Sequence, residues 1–250
     1  MSKHNFQAKR FFVNEPLEQG TIITAGKAQA NYLLNVLRLR TNTEPILVFN
    51  GFDGEWLASV RTDGRKSAMI EVFKQVRTQP PPYDLRYLFT PLKRARMDSV
   101  IHKGVEMGAG ILQPVFSKFS QVYTVNLKKM RSYAIEAAEQ CGTLSIPEIR
   151  EPVKLVKLIK DFDTRRTLIF CDESENTNNP LDRLREVRGK PLSVLIGPEG
   201  GFSPEERALL KDQTFVLPIP LGPRILRADT AAVAALAVVQ AMAGDWRDDQ

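Results

Sequence analysis

Two short glycine- and proline-rich segments near the C-terminus, IGPEGGF at 196–202 and LGPRILRADTAA at 221–232, constrain this chain more than any other feature. Each follows an apolar run that reads as a buried strand, SVLI before the first and FVLPI before the second, and each leads into a helix. Glycine and proline at the end of a buried strand let the backbone turn sharply and approach a ligand closely. Two such bends on successive strands predict one ligand site built at strand ends.

In the first bend, which starts at Ile196, Gly197, Gly200 and Gly201 remove side chains where a ligand could lie, and Pro198 stiffens the turn. Ser203-Pro204-Glu205-Glu206 then predicts a helix start, with Ser203 as N-cap, Pro204 at the first helical position and Glu206 closing a capping box. The bend is not a P-loop, since no Gly-Lys-Ser/Thr follows, and its spacing is not GxGxxG. Taken alone, it is equally compatible with a tight strand–helix connection. The second bend shifts that balance: Leu221-Gly222-Pro223 turns again, Arg224 and Arg227 flank Ile225 and Leu226, and Asp229 or Thr230 can cap a following helix.

That last helix, expected over about 230–243, is rich in alanine and almost wholly apolar. A helix with no polar face has to be covered all round. Its own sheet covers part, and a second copy of the chain covers the rest in the favoured reading, a homodimer. The alternative is the central helix of a monomer.

The three prolines at 80–82 interrupt any sheet, because proline lacks the amide donor. They predict two domains, 1–76 and 77–250. Before them lie short strands at Arg10–Val13, Thr21–Thr24, Ile46–Phe49, Glu55–Val60 and Ala68–Phe73, with a turn at Asn50-Gly51 and Asp53-Gly54. One helix at about 28–38 sets Leu33, Leu34 and Leu37 on an inner face. This pattern suits a small barrel. Beyond the prolines, strands (85–90, 111–114, 167–171) alternate with helices (94–107, 128–140), which predicts an α/β domain with a mostly parallel sheet. Residues 172–180, DESENTNNP, read as a polar loop.

Composition matters here mainly through charge. The chain carries a net +6, yet between Arg86 and Arg131 nine Lys and Arg face only Asp98 and Glu106. Such a surplus favours a polyanion, with Lys93, Arg94 and Arg96 as the leading phosphate-binding group. No apolar run approaches the ~20 residues that span a bilayer, and MSKHNFQAKRFF lacks the apolar core of a secretory signal. Cys141 and Cys171 have no metal-ligand spacing and suit a reducing, cytoplasmic setting. His4 and His102 have no partner pattern, so no metal site is expected.

The pair IGPEGGFSPEE and LGPRILRADTAAVAAL resembles the signature of the bacterial ribosomal RNA uridine-N3 methyltransferases of the SPOUT class. RFFV at 10–13, NVLRLR at 35–40, KRARMDSVIHKGVEMGAGILQPVFS at 93–117 and EAAEQCG at 136–142 extend the likeness over nearly the whole chain. The resemblance implies a C-terminal deep trefoil knot cradling S-adenosyl-L-methionine and an N-terminal PUA-like barrel that binds RNA. The implied reaction is methylation of N3 of a uridine in 16S ribosomal RNA of the small subunit. On this basis adenine lies between Leu217, Leu221, Ile225 and Leu226, with hydrogen bonds from the backbone of Gly197, Gly201 and Gly222. Arg227 places charge near the reacting base, or instead orients Asp229 or packs at the dimer seam; Glu199 handles the proton, or instead stabilises its loop. Arg10, Arg38 and Arg40 are RNA contacts or, as readily, structural ion pairs. The chain departs from the family pattern at Thr143 and at Lys118-Phe119, where the family commonly has arginine and Glu-Arg. The alternatives are a SPOUT enzyme acting on another RNA and a non-catalytic RNA-binding assembly protein.

Overall fold

A computed structural model of the chain describes residues 9–36, 45–63, 67–172 and 179–246. The chain separates into two compact units, Met1–Pro81 with Ala138–Ile146, and Pro82–Ala137 with Pro147–Gln250.

The first unit holds β1 (Arg10–Phe12), β2 (Ile22–Thr24), α1 (Lys27–Asn31), β3 (Ile46–Phe49), β4 (Glu55–Asp63) and β5 (Ser67–Arg77). They form a sheet in the order β1-β3-β4-β5-β2, antiparallel except for β1 with β3. The first half of β5 alternates buried and half-buried side chains, and Ile70 and Val72 join Phe11, Ile46, Val48 and Leu33 in one core. Such alternation marks a sheet with one covered face. Asn50 organises the β3–β4 turn: its Oδ1 accepts the N–H groups of Phe52 and Asp53, and its Nδ2 donates to the Asp53 carboxylate. The expected 28–38 helix is shorter at its α-helical start and continues as a π-helical turn over Tyr32–Val36. Leu37, Arg38 and Arg40 lie outside the described residues.

The second unit opens with β6 (Arg86–Phe89), α2 (Arg94–Glu106), β7 (Ile111–Phe116) and α3 (Leu127–Cys141), the last turn of which belongs to the first unit. It continues with β8 (Glu148–Ile149), β9 (Val153–Lys154), α4 (Leu155–Lys160), β10 (Thr167–Cys171) and α5 (Leu181–Arg185). It closes with β11 (Leu192–Ile196), α6 (Pro204–Lys211), β12 (Val216–Ile219) and α7 (Ala228–Ala243). The sheet runs β12-β10-β11-β6-β7-β8, with β9 also on β7, and the pairs are parallel. This is a mixed α/β fold. Side chains of β10 and β11 are buried on both faces of the sheet, and the two strands read as near-continuous apolar runs, TLIFC and LSVLI. The buried Arg166 ties the N-terminal ends of the strands together, bonding Asp84 Oδ1 at 2.7 Å and the Leu192 carbonyl at 2.7 Å.

Strand order positions the site. Since β10 lies between β11 and β12, the C-terminal ends of these three strands stand side by side at one edge. The last helix begins earlier than expected, with Arg227 as N-cap and no side-chain cap; Asp229 sits inside the first turn and accepts the Thr230 N–H at 2.9 Å. One face of α7, including Ala232, Ala235, Leu236 and Val239, is buried against its own chain, where it meets α2, α5 and β11. Val233, Ala234, Ala237 and Val238 are half-buried. Its buried Gln240 donates to the Met107 carbonyl at 2.9 Å and so closes the end of α2.

Candidate functional site

The bend after β11 is held from several sides. The Gly201 N–H donates to the Pro198 carbonyl at 2.9 Å, and Gly201 has φ +67°, a left-handed conformation that favours glycine. A Cβ on Gly197 would stand 2.6 Å from the Phe202 ring. Gly197 therefore makes room for Phe202, which packs edge-on against Phe170 at 5.3 Å. The capping box forms as expected: the Glu206 N–H donates to Ser203 Oγ, and the Ser203 N–H donates to the Glu206 carboxylate. Ser203 Oγ also donates to Glu205 at 2.7 Å, and this bond holds the Glu205 carboxyl down at about 2, well below the usual range.

A cleft opens between this bend, the bend after β12 and the end of β10, with about 720 Å³ of unfilled space counted to its mouth. Ile196, Gly197, Glu199, Gly201, Leu221, Gly222, Ile225 and Leu226, all expected site residues, line it together. Gly200, Leu217 and Arg227 are not among the lining residues. Gly200 faces Phe119, Leu217 pairs with Ile169 inside the sheet, and Arg227 stands exposed at the start of α7 between the lining residues Leu226 and Ala228.

Further cleft residues escape a reading of the sequence: Phe170, Cys171, Asp172 and Arg207. The buried Asp172 pairs with Arg207 at 3.0 Å and Lys211 at 2.7 Å, tying the end of β10 to α6. Cys171 sits in the cleft wall, where desolvation pushes its thiol up to about 12. The wall thus offers apolar surface for a flat heterocycle, a carboxylate for hydroxyl or ammonium groups, and cationic side chains at Arg207 and Arg224. That donor set fits an adenosine bearing an amino-acid tail.

A family model for an RNA methyltransferase domain matches residues 79–240, a span that contains the whole cleft. The chain belongs to this family. Solved structures similar to this chain include a methyltransferase of Legionella pneumophila in complex with bound S-adenosylmethionine. It is 29% identical with a TM-score of 0.81, covering 94% of this chain and 97% of that one. The ribosomal RNA small subunit methyltransferase E of Neisseria gonorrhoeae, bound to S-adenosyl methionine, is 27% identical with a TM-score of 0.84, over 96% and 100%. The curated methyltransferase of the same name from Rickettsia conorii is 28% identical over 233 residues, 92% of this chain and 94% of its own.

Within this RNA methyltransferase, the positively charged stretch divides. Arg86 starts β6, at the other end of the strand from Lys93. Lys103 pairs with Glu106, Lys118 with Glu205, and Arg96 with Glu199. Arg94 is the first residue of α2. The turn carrying Lys118 and Phe119 docks on the first bend, its Lys118 N–H donating to Glu206 at 2.7 Å. Arg10 is buried, and its guanidinium bonds Glu55 at 2.9 Å, the geometry of a structural ion pair. EAAEQCG meets RFFV inside the first unit: Glu139 accepts the Phe12 N–H at 2.8 Å, and a Cβ on Gly142 would touch Arg10 at 3.4 Å. His102 lies on α2 edge-on to Tyr133, 3.8 Å from Glu136. Among the described residues no His, Cys, Asp and Glu cluster could hold a metal, and no helix is long and apolar enough to cross a membrane.

Proposed function

We propose that this chain is an S-adenosylmethionine-dependent methyltransferase acting on ring N3 of a uridine in 16S ribosomal RNA of the small ribosomal subunit. The observation that carries the reading is the shared cleft: both side-chain-poor bends and the end of β10 line one hollow. Structures matching over nearly their full length are bound to S-adenosylmethionine. The relative named for small-subunit ribosomal RNA supplies the substrate class.

Bound there, S-adenosylmethionine supplies a methyl group on an electrophilic sulfonium. Leu221, Ile225 and Leu226 would cover its adenine, and Gly197, Gly201 and Gly222 would offer backbone groups to its edge. Uridine N3 carries a proton and is a poor nucleophile at neutral pH, so the protein has to help remove that proton and steady the charge spreading onto the flanking carbonyl oxygens. Arg227 provides the positive charge. Glu199 accepts the proton on release from Arg96. Fixing N3 in line with the methyl group supplies much of the remaining acceleration.

The reading extends to domain organisation: a PUA-like RNA-binding barrel over 1–76 and a methyltransferase domain with a deep trefoil knot over 77–250, working in the cytoplasm. It also includes a homodimer through α7, whose half-buried Val233, Ala234, Ala237 and Val238 form an apolar strip beside its buried face. Ala235 is fully buried within its own chain, so the test belongs on the strip. Ala237→Glu is expected to give monomers by sedimentation; a monomeric wild type at micromolar concentration contradicts the dimer.

The activity is tested by mass mapping of small-subunit ribosomal RNA from cells lacking the protein. Loss of one 3-methyluridine, restored by the wild-type gene and not by the Gly201→Trp variant, is expected. An unchanged map rejects this substrate.

A further inference from the structure

The cleft does not end at Glu199. Pro198 and Glu199 also line a small pocket with Pro91, Leu92, Lys93, Arg96 and Gln121, about 420 Å³ of unfilled space. Leu92, Lys93 and Gln121 in turn line a larger chamber of about 1480 Å³ between the start of α2, the segment 121–126 and the first turns of α3. Shared wall residues set the three hollows in a row, with the Arg96–Glu199 ion pair where the first two adjoin.

The chemistry of the chamber differs from that of the cleft. Tyr123 is 59% exposed, yet its ring is steadied against Phe116 at 5.6 Å. Lys129 is held over the Tyr133 ring, its Nζ 5.3 Å from the centroid, at the same wall. Of the lysines and arginines crowded between 86 and 131, those in ion pairs lie elsewhere. Lys93 and Lys129, at the chamber, and Lys128 and Arg131, exposed on α3, form no ion pair with any described residue. The segment 121–125 is irregular, and none of its N–H groups donates to a carbonyl of the described residues. An exposed tyrosine ring, lysines without carboxylate partners and free backbone donors together match single-stranded RNA, whose bases stack on aromatic faces and expose hydrogen-bonding edges.

We propose that this chamber seats the single-stranded nucleotides flanking the target uridine, with Tyr123 as the stacking platform and Lys93 and Lys129 on the phosphates. The target base then passes the Arg96–Glu199 ion pair into the donor cleft. This inference rests on the methyltransferase reading and adds to it the path by which RNA reaches the cofactor.

The test uses the full chain, a uridine-rich single-stranded oligoribonucleotide and small ribosomal subunits from cells lacking the protein. Tyr123→Ala is expected to weaken oligonucleotide binding roughly 5- to 150-fold, the range for losing one stacked base. Tyr123→Phe keeps the ring and restores binding. Lys129→Ala reduces the salt slope of log K by about 0.7 for each phosphate that the lysine neutralises in the wild type. With subunits, Tyr123→Ala raises KM more than it lowers kcat, while S-adenosylmethionine affinity stays at the wild-type value. A 4-thiouridine strand cross-links within 121–133. If wild-type protein binds cofactor and methylates subunits while Tyr123→Ala matches it in KM, or the cross-links fall only in residues 9–63, the chamber assignment is overturned and the activity stands. If the wild type methylates nothing, the activity reading falls and takes the chamber with it.

Discussion

The two bends that face each other across the cleft are built in opposite ways. The bend after β11 is braced by a capping box, by the Phe170–Phe202 contact, by Arg96 on Glu199 and by the Lys118 turn. Across the cleft, residues 220–226 form no hydrogen bond with any described residue, and Ile225 is 90% exposed. One wall is preorganised and the other is open to being ordered by what binds. Ordering on binding costs conformational entropy, so the rigid wall sets where the donor lies and the free wall sets how firmly it is closed in.

Substitutions can break or sharpen that contrast. The largest loss of stability is expected for Asp172→Ala, which leaves Arg207 and Lys211 without their buried partner. Both cations retain access to water, so the cost is about 3 kcal/mol, the low end for breaking a buried pair, measured by urea denaturation. Gly197→Ala forces the Phe202 ring aside and costs about 1–3 kcal/mol, with cofactor affinity falling in parallel in calorimetry. Ser203→Ala removes the N-cap of α6 and costs about 1 kcal/mol, read by thermal unfolding.

Smaller again is a pH effect. Glu205 is held near 2 in the folded chain against ~4.3 when unfolded. Its support for the α6 start is therefore complete above ~4.3 and is lost as pH falls toward 2. Amide protection at Ser203, Glu205 and Glu206, taken relative to the intrinsic exchange rate at each pH, should fall over that window in wild type and fall less in Glu205→Gln. The smallest change in stability belongs to the free wall: Ile225→Ser should stay within about 0.5 kcal/mol of wild type while weakening cofactor binding. Equal destabilisation by Ile225→Ser and Gly197→Ala would abolish the distinction between the walls.

Local chemistry made much of this legible. Ser203, Pro204 and Glu206 specify the capping box by themselves, and glycine-proline bends after apolar strands mark ligand loops. What the sequence conceals is lateral order. That β10 lies between β11 and β12 follows from long-range pairing, and only this order brings Asp172 and Cys171 into the cleft. With it known, the rule that ligands gather at the carboxyl ends of adjacent parallel strands points straight to them. The strands β8 and β9 have two residues each, too few for any periodicity to register. Arg10 was undecidable in advance because its partner Glu55 is forty-five positions away. Charge was legible as a total and not as a surface: the basic stretch separates into ion pairs at one place and unpaired lysines at another.

Calorimetric titration of S-adenosylmethionine into the full chain and its Gly201→Trp variant is the most direct test of a cofactor held between the two bends. Saturable binding by the wild type, lost when tryptophan fills the cleft of a protein that still unfolds cooperatively, is the predicted result. No saturable heat with the wild type, or equal affinity in the variant, would contradict it.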